Sequence, residues 1–185
     1  MSAPVEATAE AGVSALRRRI GLLVIAIVLA GADLTIKTWA EHVLPGNPIM
    51  GGPLDLQLAF NPGVAFSFAA DAPAWTVVAV TAVITAAVAV ALWRTAPTAS
   101  LLWGSALATV LGGALANLID RAADGHVTDY LHTGWWPTFN LADTLIVGGG
   151  LLLVALSWRT KDRPNDRPQD AETACHPSPC RGDRP

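Results

Sequence analysis

Charged side chains are scarce in this sequence. Only 15% of its 185 residues are Asp, Glu, Lys or Arg, and 52% are hydrophobic, whereas an average soluble domain carries about 25% charged residues. The formal net charge is −3 and the chain has no basic stripe, so we predict no nucleic-acid partner. The composition instead indicates an integral membrane protein.

Cysteine is also nearly absent. Cys175 and Cys180 lie in the polar C-terminal stretch with only His176 nearby, so they cannot cross-link the body of the fold and would make a poor metal site. The H-E-x-x-H motif of zinc peptidases and the G-x-S-x-G motif of serine hydrolases do not occur. We therefore predict neither a metal nor a cofactor.

Four apolar segments are each close to the roughly 20 residues that cross a bilayer. The third is rich in glycine and alanine, which let helices approach closely in lipid, so we expect it to be the most enclosed. Lysines and arginines of the short connections concentrate at one set of ends, which predicts both termini in the cytoplasm. The predicted spans are residues 19–39, 74–93, 101–119 and 141–158.

The connection after the first span has a different character. Leucines at 54, 56 and 58 alternate with polar residues, which predicts a short strand. A turn at Asn61–Gly63 and a second short strand at Val64–Phe68 would complete a small hairpin. The predicted fold is mainly α and integral to the membrane, with four transmembrane helices and a small extracytoplasmic β-hairpin. Its parts are a disordered cytoplasmic leader (1–16), the membrane domain (17–160) and a disordered cytoplasmic tail (161–185).

Three aspartates, Asp120, Asp129 and Asp143, fall between the last two apolar segments. A charged residue costs about 2.5–3.5 kcal/mol at the centre of a spanning helix and less near its ends, so these acids suggest chemistry. Two carboxyl groups in a low-dielectric pocket share a proton, and aspartic peptidases use such a pair to activate water. Spacing alone does not decide which two would pair.

Each aspartate also has a structural interpretation. Asp143 begins the fourth span, where a carboxylate caps the free N–H groups of a helix. Asp120 precedes Arg121 and could form a local ion pair with it. Asp129 has no adjacent cation in the sequence, so it is either a catalytic acid or a plain surface aspartate.

Five short blocks occur in this order along the chain: Asp33-x-x-x-Lys37, NPGVAF (61–66), GGALANLIDR (112–121), VTDY (127–130) and FNLADT (139–144). Together they resemble the lipoprotein signal peptidases (signal peptidase II, the aspartyl peptidases of bacterial membranes). The resemblance covers residues 17–160 and implies that Asp129 and Asp143 form the catalytic dyad. The chain departs from the family pattern at Ala116, where glycine is usual, at Pro62 in the predicted hairpin, and in VTDY, where VVDF is commoner.

The resemblance also implies supporting residues around the dyad. Asn61 is expected to contact the substrate backbone, and Asn140 to hydrogen-bond beside Asp143. Asp33 and Lys37, four residues apart, are expected to pair as a buried strut. Those expected to orient the dyad and the bound peptide are Asn117, Asp120 and Arg121.

The family's activity implies the function: removal of signal peptides from diacylglyceryl-modified prolipoproteins by cleavage just before the lipidated cysteine. The expected enzyme is a monomer of the bacterial inner membrane, surrounded by lipid, with its site at the outer face. One alternative is a transporter or channel subunit that uses Asp33, Lys37 and Asp143 as an ion relay. Another is a non-catalytic chaperone or anchor that binds membrane partners through the small-residue helix.

Overall fold

The computed structural model describes residues 3–63 and 74–161. Within these residues, four helices are long and apolar enough to cross a membrane, which confirms the four predicted spans of a multi-pass membrane protein. The elements, in order, are α1 (Ala3–Val43), β1 (Asp55–Asn61), α2 (Ala74–Thr95), α3 (Leu101–Asp124), β2 (Val127–His132) and α4 (Leu141–Lys161).

Two helices are longer than predicted. α1 begins at Ala3, so its backbone includes most of the segment expected as a separate leader, which is rich in the good helix formers Ala and Glu. α3 continues beyond residue 119 to Asp124 and ends at Gly125, whose φ of 87° is left-handed. Asp120 and Arg121 therefore lie on this helix, and the predicted end of the third span at residue 119 is wrong. Residues 162–185 of the predicted tail lie outside the described residues.

α3 lies at the centre of the bundle and packs against the other three helices. In α3, 56% of the apolar membrane-crossing stretch is buried, whereas the value is 11% in both α2 and α4. This helix is therefore more enclosed than either of them. Glycines allow the close approach: a Cβ on Gly113 would lie 2.4 Å from the Ala142 carbonyl oxygen, and one on Gly149 would lie 3.0 Å from that of Ala106. Small residues thus bring the start of α4 against α3, as expected in lipid.

The small β element is confirmed, and its described strands come from two separate connections. β1 pairs antiparallel with β2, with Ala59 opposite Asp129 and Asn61 opposite Val127. The predicted partner strand at 64–68 lies outside the described residues. β2 was not predicted. Its first four residues are all buried, so it lacks the alternation of apolar and polar residues that marks a half-buried strand. The pairing places the end of β1 beside Asp129.

Candidate active site

The first turn of α4 positions Asp143. Asn140 precedes the helix, and its side-chain oxygen accepts a 2.9 Å hydrogen bond from the Asp143 N–H. The Asp143 carboxylate accepts a 3.3 Å bond from the Asn140 N–H in return. This is a capping box with Asn and Asp in place of the usual residues. The capping interpretation of Asp143 is confirmed, and its Oδ1 accepts a further bond from Asn117 Nδ2 at 2.8 Å.

Asp129 lies on β2 and is 2% exposed. Asn140 Nδ2 donates a 2.6 Å hydrogen bond to Asp129 Oδ1, so a single residue bonds to both aspartates. Burial, and then the charge of Asp143, raise the pKa of Asp129 to about 6, although hydrogen bonds from Asn140 and Asn61 oppose the rise. The structure therefore brings Asp143 close enough for its charge to influence the ionisation of Asp129.

A buried lysine lies beneath the two acids. Lys37 is 1% exposed, and its Nζ lies 3.2 Å from Asp33 Oδ2 and 2.9 Å from Asp120 Oδ2. It also donates a 2.7 Å bond to Asn117 Oδ1. Three partners match the three protons of the ammonium group. The expected Asp33–Lys37 pair is confirmed, whereas Asp120 pairs with Lys37 on another helix instead of with its neighbour Arg121.

Asn117 connects this lysine to the dyad. Its Oδ1 faces the Lys37 ammonium group at 2.7 Å, and its Nδ2 donates to Asp143 at 2.8 Å. Because an amide has one accepting and one donating end, the contact with Lys37 fixes which end faces Asp143. A continuous path of polar contacts thus runs from Lys37 through Asn117 to Asp143.

Asn61 and Arg121 also lie close to Asp129. The Asn61 side chain accepts a 2.8 Å hydrogen bond from the Gly63 N–H and also bonds to the Asp129 carboxyl. Arg121 is buried, and its charge interacts with Asp120, Asp129 and Asp143. Its Nη2 would lie 3.1 Å from a Cβ on Gly63, so the guanidinium group lies against the turn that follows β1.

The sequence reasoning missed two residues that flank Asp129. Thr128 donates its hydroxyl to Glu41 Oε1 at 2.5 Å and its N–H to Asp120 Oδ2 at 2.8 Å. The Tyr130 hydroxyl contacts Asp33 and the backbone of Leu141, and burial raises the pKa of this phenol above its usual value. Their position in the VTDY block, on either side of a candidate catalytic acid, is the signal that could have identified them.

An open groove of about 540 Å³ runs beside Asp143. Its walls are mainly apolar and include Trp135, Trp136, Phe139 and Val147. Within the described residues, no group of three or more His, Cys, Asp or Glu is arranged to hold a metal ion. The arrangement therefore provides two acids, both bonded to Asn140, at the side of an apolar groove, which suits acid–base activation of water on a bond carried by an apolar chain.

The sequence matches one family in two comparisons with known proteins. The family described as signal peptidase (SPase) II, Peptidase_A8, matches residues 25–159. The lipoprotein signal peptidase of Rhodococcus jostii (strain RHA1) is 43% identical over 152 residues, covering 76% of this chain and 74% of that protein. The lipoprotein signal peptidase of Mycobacterium tuberculosis (strain ATCC 25618 / H37Rv) is 39% identical over 150 residues, covering 76% and 72%.

Solved structures show the same fold. A bacterial membrane enzyme determined by the in meso method at 2.3 Å resolution superposes with a TM-score of 0.67 at 22% identity, covering 80% of this chain and 93% of that one. A second such structure, at 1.9 Å resolution, gives a TM-score of 0.63 at 24% identity, covering 77% and 94%. At these identities the likeness shows the arrangement of the helices and strands alone.

Proposed function

The chain belongs to the signal peptidase II family, and we propose that Asp129 and Asp143 are its catalytic dyad. It removes signal peptides from prolipoproteins as an aspartic endopeptidase of the membrane. The observation that carries the dyad is the position of Asn140, which bonds to both acids. The influence of the Asp143 charge on the pKa of Asp129 supports the same pairing.

We assign the shared proton at rest to Asp129. The pKa of this carboxyl, raised to about 6 by burial and by Asp143, makes it the member that is protonated in weakly acidic solution. In the proposed reaction Asp143 takes a proton from water as the water oxygen attacks the scissile carbonyl carbon, and Asp129 gives its proton to the carbonyl oxygen. When the resulting diol collapses, the C–N bond breaks, Asp143 protonates the leaving nitrogen and a diol hydroxyl returns its proton to Asp129.

Other residues of the site have proposed roles around this chemistry. Asn140 and Asn117 orient the carboxyl groups through the amide contacts described above. Asn61 and Arg121 lie at the turn after β1, where they contact the substrate backbone. Lys37 balances the charges of Asp33 and Asp120 beneath the site, so these three residues support it without touching the substrate.

The finer substrate is proposed to be a prolipoprotein whose cysteine already carries diacylglycerol, cut just before that cysteine. The apolar groove beside Asp143 lets an apolar chain reach the dyad while the acyl chains remain in the bilayer. Arg18 and Arg19 of α1 lie near the connection between α2 and α3, at the end of the bundle opposite to the dyad, and Arg94 lies in the last turn of α2. Because cytoplasmic ends carry the excess of arginine and lysine, we propose that both termini are cytoplasmic and that the dyad is at the outer face. The enzyme is proposed to act as a monomer.

The dyad is tested by Asp129→Asn and Asp143→Asn in purified enzyme acting on a lipidated precursor in proteoliposomes. Each variant keeps the size of the side chain and removes its acid–base chemistry, so we expect cleavage to fall at least about 10³-fold. Asp124→Asn is the matched control, because Asp124 lies outside the site at the end of α3 and contacts His126. Full activity in either dyad variant would remove the proposed mechanism.

The substrate class is tested separately with one precursor prepared with and without its diacylglyceryl group. The proposal expects cleavage of the modified form and little cleavage of the unmodified form by the same enzyme preparation. Equal cleavage of both would show that the acyl chains play no part in recognition while leaving the dyad in place.

A further inference from the structure

Tyr130 follows Asp129 directly in β2 and is 3% exposed. Its hydroxyl donates a 3.1 Å hydrogen bond to Asp33 Oδ1 of α1 and accepts one of 3.1 Å from the Leu141 N–H of α4. Its own N–H donates to the Phe139 carbonyl oxygen at 3.0 Å. Both polar ends of this residue therefore contact the segment that leads into α4.

The first turn of α4 is capped by side chains from several elements. The first N–H groups of a helix have no partner within it. Here the Leu141 N–H bonds to Tyr130 on β2, the Ala142 N–H to Asp33 Oδ1 at 3.1 Å on α1, and the Asp143 N–H to the cap residue Asn140. Because these acceptors belong to different elements, they fix where α4 begins relative to α1 and β2.

We propose that Tyr130 is a positioning residue that holds Asp143 at its working distance from Asp129. Tyr130 is one residue from Asp129, and its hydroxyl binds the helix two residues before Asp143. A movement of β2 away from the start of α4 would separate the two acids, and this contact opposes that movement. The inference rests on the proposed dyad and adds a residue that acts on both of its members.

Tyr130→Phe tests the proposal because it removes one oxygen atom and keeps the ring. Small misplacements of reacting groups cost rate rather than binding, so we expect kcat to fall roughly tenfold while KM stays within about twofold. Less tightly held carboxyl groups share their proton less strongly, so the two limbs of the pH–rate profile should move closer together. A loss of folded protein would lower the rate equally at every pH.

Thr35→Val is the matched control for a hydroxyl deletion. Thr35 lies on the exposed side of α1, and its hydroxyl bonds to the Gly31 carbonyl of its own helix at 2.7 Å. We expect this variant to keep the kcat and the pH profile of the unmodified enzyme.

Leu141→Pro removes the hydrogen bond between the Leu141 N–H and the Tyr130 hydroxyl by deleting its donor. It therefore also tests the proposal if Tyr130→Phe folds poorly. Proline suits the first position of a helix and lacks the N–H that Tyr130 accepts. Leu141→Ala keeps that N–H and controls for the lost leucine packing. Compared with Leu141→Ala, the proline variant should show the lower kcat, and adding Tyr130→Phe to Leu141→Pro should change little.

Two results would overturn the proposal. One is a Tyr130→Phe enzyme with unchanged kcat and an unchanged pH profile. The other is a loss of rate that matches the loss of folded enzyme while the profile keeps its shape. Either result would leave the dyad intact, whereas activity in Asp129→Asn would remove the dyad itself.

Discussion

The two ends of the helix bundle use cations in different ways. At the end that holds Asp129 and Asp143, the dyad end, Lys37 is buried and bonds to side chains of α1 and α3. At the opposite end, the arginine end, Arg18 and Arg19 bond to backbone carbonyls near the α2–α3 turn. Arg19 also lies 4.7 Å from the ring centre of Trp93.

This difference predicts where the molecule tolerates change. A buried ion pair becomes strongly destabilising when one partner is removed, because the remaining charge has no compensation. When a partly exposed arginine is removed, water can replace its contact with a backbone carbonyl at lower cost. The stability of the dyad end therefore depends on each member of the Lys37 network, whereas the stability of the arginine end depends on the packing of the helices that meet there.

Lys37→Met should have the largest effect. The variant keeps a flexible apolar chain but leaves Asp33 and Asp120 without their shared cation. We expect a loss of stability of about 3–5 kcal/mol, measured as the shift of the unfolding transition of purified protein in detergent. Activity should fall with it, since Asn117 loses the partner that orients its amide toward Asp143.

A second substitution distinguishes charge from packing at Lys37. Adding Asp120→Asn to Lys37→Met removes one of the two unpaired charges and should recover part of the lost stability. If the double variant is less stable than Lys37→Met by the full cost of Asp120→Asn alone, the effect of Lys37 lies in its packing, and the contrast between the two ends weakens.

The next effect concerns pH. The pKa of Asp129 is raised to about 6, and the proposed reaction needs the protonated form of this group. As pH rises through this value the protonated fraction falls, so kcat/KM should fall about tenfold per pH unit on the alkaline side. Rates measured from pH 5 to 9 on one precursor check this, and a kcat/KM that is constant from pH 6 to 8 would contradict the assignment of the proton.

Sequence predicted those features that depend on neighbours along the chain. The four spans follow from the length and apolar character of their segments, and the Asp33–Lys37 pair follows from its spacing of four residues on a helix. The enclosure of α3 follows from its glycines and alanines. The capping role of Asp143 was also foreseen, because it depends only on the start of α4.

Contacts between segments that are distant along the chain were harder to predict from the sequence. In the sequence, β1 precedes α2 and β2 follows α3, so their pairing joins residues that are far apart along the chain. No local pattern specifies this pairing. The Asp120 partner was expected next to it at Arg121 and is Lys37 of α1, because a buried lysine requires more compensation than one carboxylate gives. The family resemblance implied the dyad, but only the structure shows the bonds from Asn140 to both acids.

Asp129→Asn should stabilise the fold in alkaline solution. A carboxyl whose folded pKa is raised destabilises the folded state when ionised, so its cost is absent below the unfolded value near 4 and complete above about 6. Asparagine never ionises, and its amide oxygen can still accept the bond from Asn140. We expect a gain on the order of 1 kcal/mol at pH 8 and no gain at pH 4. Equal stability of both proteins at pH 8 would contradict this.

The smallest effect is expected at the arginine end, where Arg19→Met matches Lys37→Met in the side chain that it introduces. Arg19 donates to the Trp93 carbonyl at 3.0 Å in an exposed setting, and water can take its place. Methionine keeps an apolar contact with the Trp93 ring, so we expect a loss below about 1 kcal/mol and cleavage within about twofold of the unmodified enzyme. Because both variants remove one positive charge and introduce the same side chain, the difference between their unfolding transitions isolates the effect of burial. Similar losses of stability at Arg19 and Lys37 would mean that the cation, and not its buried network, determines the cost.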